Sequence, residues 1–438
     1  MLEVTLLIIF LLLFGWLSWH NLQRGLFLVI VLLPVYLVRF HLGPVPVTLL
    51  ESMIWILFIN WFLKSLLHIH LWPRSKFIGA ALVILFISFL AIFVSSDLRA
   101  AAGLWKAYFL APFLFLVVFS GLVKKSEHIR EVILALGISA LLVSIMAIIQ
   151  KLAGGYLVPT AYWLLGEGER VTSFYPYPNA VGLFLAPIVI LYVGLVVSRW
   201  WLVANKKGWS LFFSMSVIIT GVLAIILAKS DGALVGLVAG LAVLGLFFKK
   251  SRWWVAGLAI LGGVAFLANL VPQSIVDTLL FRDWSGKIRL LMWRETWQLI
   301  RDHWFLGVGL AGYQTALASY HQAKEIEIFM YPHNFIFNFW VELGLAGLLT
   351  FLYIIGKFFR LGVAVLKSKA CPEPFGFAQG WLRREVKNFR VVGAALLAAL
   401  VVILVHGLVD VPYFKNDLAI LWWTIFGLMS SLYNLKNV

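Results

Sequence analysis

Residues 209–248 read WSLFFSMSVIITGVLAIILAKSDGALVGLVAGLAVLGLFF, and they decide the fold class. Two apolar runs, 209–228 and 232–248, flank a break of three residues: Lys229, Ser230 and Asp231. Neither run contains a charge, and each is about as long as a helix must be to cross the hydrocarbon core of a bilayer. The stretch therefore predicts two transmembrane helices joined by a short loop.

The composition extends this interpretation to the whole chain. Of 438 residues, 63% are hydrophobic and only 12% are charged, and the mean hydropathy is +0.98. A water-soluble domain cannot bury that much apolar surface, whereas a bilayer removes the need to bury it. The net charge of +16 falls in short clusters between apolar runs, which is typical of cytoplasmic loops and does not indicate nucleic-acid binding. A single cysteine, Cys371, excludes an intramolecular disulfide.

The apolar runs predict an all-α, polytopic bundle of about 12–13 transmembrane helices. No repeat of 20 to 50 residues recurs along the chain. The first run lacks a basic region and a cleavage site, so we expect a retained helix and not a signal peptide. The thirteen runs lie near 4–19, 24–40, 46–66, 77–94, 103–123, 130–153, 180–201, 209–228, 232–248, 253–271, 334–358, 391–410 and 418–434.

Basic clusters orient the predicted bundle. Five of them, at 64–76, 124–130, 206–207, 249–252 and 357–390, alternate with loops that carry little or mixed charge. The positive-inside rule assigns these clusters to the cytoplasmic side. The loops at 95–102, 154–179, 229–231, 272–333 and 411–417 are then expected to face outward.

The longest outward loop divides the chain into three predicted parts. Residues 1–271 hold about ten helices, 272–333 form an outward loop domain, and 334–438 hold the last helices with a basic cytoplasmic loop near 359–390. Within the loop domain, apolar residues at helical spacing predict an amphipathic helix from about 287 to 302, ending before the glycines of GVGLAG.

Several polar residues are predicted to gather at the outward face. They are Arg170, Lys229, Ser230, Arg289, Arg294, His333, Asn334, His406 and Asp410. A charge near a membrane is costly and marks a functional candidate, but Lys and Arg near helix ends also snorkel to the interface. For Arg289 the residues alone leave both interpretations open. For His333 they favour a polar cap at a helix N-terminus.

The residue types indicate a phosphate-bearing substrate. Arginine binds phosphate oxygens in bidentate geometry, and a histidine can accept a proton from an attacking hydroxyl. No HExxH, CxxC pair, carboxylate cluster or P-loop is present, and no strand precedes GVGLAG. The sequence therefore indicates neither a metal nor a nucleotide cofactor.

Four segments, in order from about residue 95 to the end, carry a resemblance to a known family. They are RVTSFYPYPNAVG with Arg170, Phe174, Pro178 and Asn179; RLLMWRETWQLIRDHWFLGVGLAGY with Arg289, Trp293, Gly307 and Gly309; HNFIFNFWVELG with His333 and Gly344; and HGLVDVPYF with Asp410. The chain resembles the O-antigen ligase and polymerase superfamily of bacterial envelope enzymes.

The resemblance implies glycosyl transfer on the outer face of the bacterial cytoplasmic (inner) membrane. The donor would be a glycan on undecaprenyl pyrophosphate, and the acceptor a sugar hydroxyl, commonly on the lipid A core. No cofactor or metal would take part. His333 would be the general base and Arg289 would bind the pyrophosphate. Arg170, Lys229, Ser230, Arg294, Asn334 and Asp410 are the further predicted substrate-binding residues.

One segment departs from the family pattern. Where the family commonly has Ser-Arg-Gly, with the arginine as a second phosphate-binding group, this chain has Ser230, Asp231 and Gly232. Lys229 or Arg170 would have to supply the missing cation.

The function predicted on these grounds is an inverting, metal-independent O-antigen ligase. A polymerase of the same superfamily, whose acceptor is another lipid-linked glycan, stays open as an alternative. A transporter of lipid-linked sugars is a third interpretation, but it predicts internal repeats and charges in mid-helix, and neither is clear in the sequence.

Overall fold

The computed structural model describes residues 2–154, 170–198, 207–247, 251–268, 270–322, 326–368 and 378–436. Its helices are α1 Leu2–His20, α2 Leu22–Val31, α3 Leu49–Leu67, α4 Ile78–Leu90, α5 Leu98–Trp105, α6 Ala111–Leu122, α7 Ser126–Leu152, α8 Pro178–Ser198, α9 Lys207–Leu227, α10 Asp231–Phe247, α11 Arg252–Leu267, α12 Gln273–Leu279, α13 Trp284–Asp302, α14 Tyr313–Leu317, α15 Phe335–Leu366, α16 Ala378–Gly407 and α17 Asn416–Lys436. Short 3₁₀ turns cover Leu33–Leu37 and Ile69–Leu71, and a π-helical segment covers Lys106–Leu110. The prediction of an all-α polytopic bundle is confirmed.

Eight helical segments in the described part of the chain are long and apolar enough to cross a membrane. They are Leu49–Leu67, Leu98–Leu122, Ser126–Leu152, Pro178–Val197, Gly208–Leu227, Phe335–Leu366, Asn388–Gly407 and Asn416–Lys436. Five further apolar helices are shorter, with 10–17 residues each. Each predicted run therefore overlaps a helix, although not every helix has full membrane-spanning length.

The prediction of one transmembrane helix over 24–40 is wrong. Helix α2 ends at Val31, and Pro34 lies at the start of the 3₁₀ turn that follows, because proline cannot donate the hydrogen bond that would continue the helix. The chain then forms an antiparallel β-hairpin of β1 Arg39–Leu42 and β2 Val45–Thr48. Thr48 caps α3 by accepting from the Glu51 backbone N–H, so the run predicted to begin at residue 46 also begins later.

The centre of the bundle is formed by α8, α16 and α17, whose residues are mostly buried. Small residues bring these helices close to their neighbours. A Cβ added at Gly194 of α8 would lie 2.5 Å from the Ala395 Cβ of α16, and one at Gly240 of α10 would lie 2.6 Å from Val402 Cγ2. Close backbone approach of this kind is how helices gain packing energy in lipid, where no hydrophobic force drives them together.

The loop domain has a small core of its own and is joined to α15 by backbone hydrogen bonds. Leu299, Ile300, Val308, Tyr313, Leu317 and Val341 form this core. Helix α15 breaks at Gly344, where φ is 66° and ψ is −172°. At the break the Val308 N–H donates to the Val341 carbonyl at 2.7 Å, and the Leu345 N–H donates to the Phe305 carbonyl at 3.1 Å.

Two basic segments, around Arg74 and Lys124, lie at the opposite end of the bundle from the polar loops. At one end, Lys124 donates to the Trp72 carbonyl at 2.7 Å and Asn434 donates to the Arg74 carbonyl at 2.6 Å. The hairpin and the loops that follow α4, α9 and α16 lie at the other end, as does the start of α15. The structure thus brings the polar loops together.

Candidate active site

Helix α13 presents Arg289 to the bundle. The Asp283 carboxylate caps this helix by accepting from the Gly286 backbone N–H at 3.2 Å, so the helix begins at Trp284 and not near residue 287. Arg289 Nε donates to the Val409 carbonyl at 3.1 Å, and Nη1 donates to Ser285 Oγ at 2.6 Å. The guanidinium is thereby fixed on α13 and on the loop after α16.

Arg170 is fixed at the turn between α9 and α10. Its Nε donates to the Ala228 carbonyl at 3.0 Å, and its Nη2 donates to the Lys229 carbonyl at 3.1 Å and to Asn179 Oδ1 at 3.0 Å. Lys229 has a φ of 47°, an uncommon conformation for a non-glycine residue. This backbone turns the carbonyls of the α9 end toward Arg170.

A cavity of about 320 Å³ collects three of the predicted cations. Its charged lining consists of Arg170, Lys229, Arg289, Asp231 and Asp283, and His406 also contributes. A group of phosphates placed here would meet guanidinium and ammonium groups from three different segments. The sequence predicted only that Arg289, Lys229 and Arg170 lie on the same side of the membrane. In the structure all three line one cavity.

His333 and Asp410 form a hydrogen-bonded pair beside this cavity. His333 Nδ1 and Asp410 Oδ1 lie 3.3 Å apart. The His333 side chain is 30% exposed, while that of Asp410 is 7% exposed. Because the carboxylate accepts at Nδ1, the imidazole tautomer is set and Nε2 is left as the proton-accepting nitrogen.

Asp410 is held as a carboxylate. Burial by itself would raise its pKa, but the hydrogen bond from His333, the charges of His333 and His406 and the Val411 backbone N–H together lower the pKa well below its usual range. Asn179 Nδ2 also donates to Asp410 Oδ2 at 3.2 Å. An uninterrupted hydrogen-bonded chain therefore runs from Arg170 through Asn179 and Asp410 to His333.

The interpretation of His333 as the helix cap is wrong. Asn334 is the cap of α15, because its Oδ1 accepts from the backbone N–H groups of Ile336 at 3.0 Å and Phe337 at 3.2 Å. His333 precedes it with a φ of 45°, and Trp293 Nε1 fastens this turn to α13 by donating to the Pro332 carbonyl at 2.8 Å. The imidazole is thus free of any capping role.

Four predicted substrate-binding residues are absent from the cavity lining: Asp410, which contacts His333, and Ser230, Arg294 and Asn334. Ser230 is buried against Gly182, where an added Cβ would lie 2.5 Å from Ser230 Oγ. Arg294 is exposed on another face of α13. The Asn334 amide oxygen accepts the capping hydrogen bonds of α15, and its Nδ2 donates to the Leu408 carbonyl at 3.0 Å.

Sequence reasoning did not assign a role to Asn179, Ser285 or Asp283. Asn179 lies in the segment RVTSFYPYPNAVG together with Arg170, and this shared segment was the sequence feature that could have indicated its role. Asp283 and Ser285 precede the predicted start of the amphipathic helix near residue 287, where such residues usually indicate caps. Among the described residues, no group of three or more His, Cys, Asp or Glu side chains is arranged to hold a metal ion.

Residues 215–352 match the sequence model of the Wzy_C family, described as O-antigen ligase. Over this range the chain is similar to O-antigen ligases. This finding confirms the likeness to the O-antigen ligase superfamily that the motifs predicted. No curated protein matches the chain.

The matched range of the O-antigen ligase domain covers Lys229, Arg289, His333 and Gly344. Arg170 and Asp410 lie outside this range, on either side of it. Arg170 lines the cavity and Asp410 contacts His333, so the candidate site extends beyond the matched range.

Proposed function

We propose that the protein transfers a glycan from an undecaprenyl-pyrophosphate donor to an acceptor hydroxyl at the outer face of the bacterial inner membrane. The observation that supports this most is the hydrogen-bonded chain that joins the cavity cation Arg170 to His333. It places a proton acceptor beside a site suited to a phosphate leaving group. A lipid A-core glycan is the proposed acceptor.

In the proposed reaction, His333 Nε2 removes the proton of the acceptor hydroxyl. The hydroxyl oxygen attacks the anomeric carbon of the donor in line, so a new glycosidic bond forms while the bond to the pyrophosphate oxygen breaks. One displacement inverts the anomeric centre. The pyrophosphate leaves with the bonding electrons, and Arg289 and Arg170 stabilise its charge. Asp410 stabilises the imidazolium that results.

Lys229 would add a third cation to the leaving-group site. In the superfamily pattern an arginine stands at the position of Asp231, and here the guanidinium of Arg170 reaches the same turn through the Ala228 and Lys229 carbonyls. We therefore assign the role of the missing arginine chiefly to Arg170. Because its Nε and Nη2 donate to protein oxygens, Nη1 is the group of Arg170 that can donate to phosphate oxygens.

The test is glycan transfer in proteoliposomes with a fluorescent polyprenyl-pyrophosphate glycan and lipid A-core acceptor. We expect His333→Ala and Arg289→Ala each to reduce transfer at least 100-fold, about 2.7 kcal/mol of transition-state stabilisation. Arg294→Ala, on the same helix but outside the cavity, is the matched control and should transfer like the wild type. Normal transfer by both site variants would overturn the proposal, and lipid-linked glycan as the only accepted acceptor would identify a polymerase.

A further inference from the structure

The β-hairpin at Arg39–Thr48 has two chemically different faces. Side chains alternate along each strand, so the pairs Arg39 with Thr48 and His41 with Pro46 share one face. Phe40 with Val47 and Leu42 with Val45 share the other. A small element with one charged face and one apolar face is typical of a structure that lies at a membrane interface.

The apolar face is only partly covered by the protein. Phe40 packs against the core of the bundle. At the tip, however, Leu42 is 61% exposed and Val45 is 46% exposed, and the neighbouring Leu98 is 56% exposed. This rim would enter the acyl region of a leaflet, and the polar face of the hairpin would then lie at the level of the lipid headgroups.

Arginines surround the hairpin without carboxylate partners. Arg99 Nη2 donates to the Pro44 carbonyl at 3.2 Å, which fixes this guanidinium at the hairpin tip. Arg39 is exposed at the base. Lys106 is neutralised by Glu51 at 3.3 Å, but neither Arg39 nor Arg99 forms an ion pair within the described ranges. Two uncompensated arginines are unexpected here, since outward segments of membrane proteins are poor in cations.

Aromatic contacts link the hairpin region to the turn that carries His333. Phe414 connects the two regions, because its ring centroid lies 6.2 Å from that of Tyr108 and 5.9 Å from that of Tyr331. Tyr108 follows Lys106, which donates to the Pro46 carbonyl of the hairpin at 2.5 Å. Tyr331 precedes His333 by two residues. The hairpin region and the turn that carries His333 therefore pack around the same ring, that of Phe414.

We propose that the hairpin Arg39–Thr48, with Arg39 and Arg99, is the docking surface for the phosphorylated headgroup of the glycolipid acceptor. This inference rests on the proposed function, which requires a lipid-anchored acceptor to meet His333. The two arginines bind phosphate oxygens of the headgroup, and the exposed rim at Leu42 and Val45 contacts its acyl chains. The acceptor is thereby held at the depth at which its sugar hydroxyls reach the imidazole.

The test measures binding without turnover. Nanodiscs of zwitterionic lipid containing the protein are titrated with diphosphoryl lipid A or with its dephosphorylated form, in the absence of donor. For the double variant Arg39→Gln/Arg99→Gln we expect at least a tenfold weaker affinity for diphosphoryl lipid A and an unchanged affinity for the dephosphorylated form. The matched control is Arg282→Gln/Arg301→Gln, which removes two exposed arginines of the loop domain and should bind like the wild type.

The single variant Arg39→Gln is a control for misfolding, since the described residues show no hydrogen bond from the Arg39 side chain to the hairpin, and the strand pairing of its backbone is kept. It should weaken binding by several-fold at unchanged thermal stability. Equal affinity of all variants, or equal losses for both lipids, would overturn the proposal. Displacement of lipid A by the same concentration of phosphatidylglycerol would also overturn it, since the surface would then bind ordinary leaflet lipid.

The two proposals fail differently. His333→Ala should bind diphosphoryl lipid A normally while losing transfer. If His333→Ala transfers like the wild type but the arginine variant still loses lipid A, the docking surface stands and the proposed reaction fails. If the arginine variant binds normally but His333→Ala is inactive, only the docking surface fails.

Discussion

Asn179 joins the two halves of the candidate site, because its amide oxygen accepts from Arg170 and its amide nitrogen donates to Asp410. Both bonds involve a charged partner, and each such bond is worth about 1.5–3 kcal/mol. We expect Asn179→Ala to lower kcat by one to two orders of magnitude. The initial rate of glycan transfer at saturating donor is the measurement.

A second substitution at the same position separates positioning from packing. Asn179→Asp conserves the volume but sets a carboxylate against Asp410, so the expected loss of kcat is larger than that of the alanine variant. A wild-type rate for either variant would show that the chain from Arg170 to His333 has no part in the reaction.

Asp231 places a negative charge in a cavity that we propose binds phosphates. The carboxylate repels an anionic donor, and the repulsion is reduced but not abolished by water at this exposed position. We expect Asp231→Asn to lower the donor KM by about threefold, on the scale of a surface charge interaction. Asp97→Asn, a change of charge at the start of α5, should leave the donor KM unchanged. A higher KM for Asp231→Asn would mean that the carboxylate itself contacts the donor.

At the scale of elements, the break in α15 at Gly344 fixes the loop domain to the bundle. The φ and ψ at this position are accessible almost only to glycine, and an added Cβ would collide with the Phe305 carbonyl oxygen. Gly344→Ala should therefore separate the loop domain from α15 and abolish transfer. Thermal unfolding in detergent should show a loss of several degrees, and limited proteolysis should cleave the loop domain faster.

Gly356 in the same helix supplies the control for this prediction. A Cβ added there meets nothing within 4 Å, and alanine is the better helix former by about 1 kcal/mol. Gly356→Ala should be neutral or slightly stabilising. Equal behaviour of the two alanine variants would contradict the role assigned to the break.

Hydropathy predicted most helices because, in lipid, a long uncharged segment must satisfy its backbone hydrogen bonds internally, and an α-helix does so. It could not separate α2 from the hairpin, since short apolar β-strands and helix segments look alike by composition. Nor could it find the break at Gly344, because glycine is frequent inside transmembrane helices. The spacing from His333 to Gly344 came from the family pattern, and the structure supplies its physical reason in the docking of residues 305–308.

At the scale of the whole molecule, the site is assembled from segments between residues 170 and 410. The alternation of basic and polar loops along the sequence could assign these segments to one side of the membrane. It could not predict the contacts between them. The hydrogen bonds among Arg170, Asn179, Asp410 and His333 depend on how α8, α10 and α16 pack, which no single stretch encodes.

The orientation of the bundle is open to a direct test. We expect the loop domain to face outward, so a cysteine at Thr278, in a variant with Cys371→Ser, should react with a membrane-impermeant maleimide on intact spheroplasts. A cysteine at Lys125, in the basic loop before α7, should react only after the membrane is opened. The reverse labelling pattern would contradict the assignment by the positive-inside rule.

The backbone hydrogen bonds across the break at Gly344 also set the order in which the protein can mature. Residues 305–308 leave the ribosome before their partners at 341–345, so the nascent loop domain must wait undocked until the first half of α15 has been inserted. Asp410 is synthesised later still. A nascent chain therefore carries the arginines proposed to bind phosphate well before it acquires the carboxylate that contacts His333, and we expect no transfer from any chain that stops before Asp410.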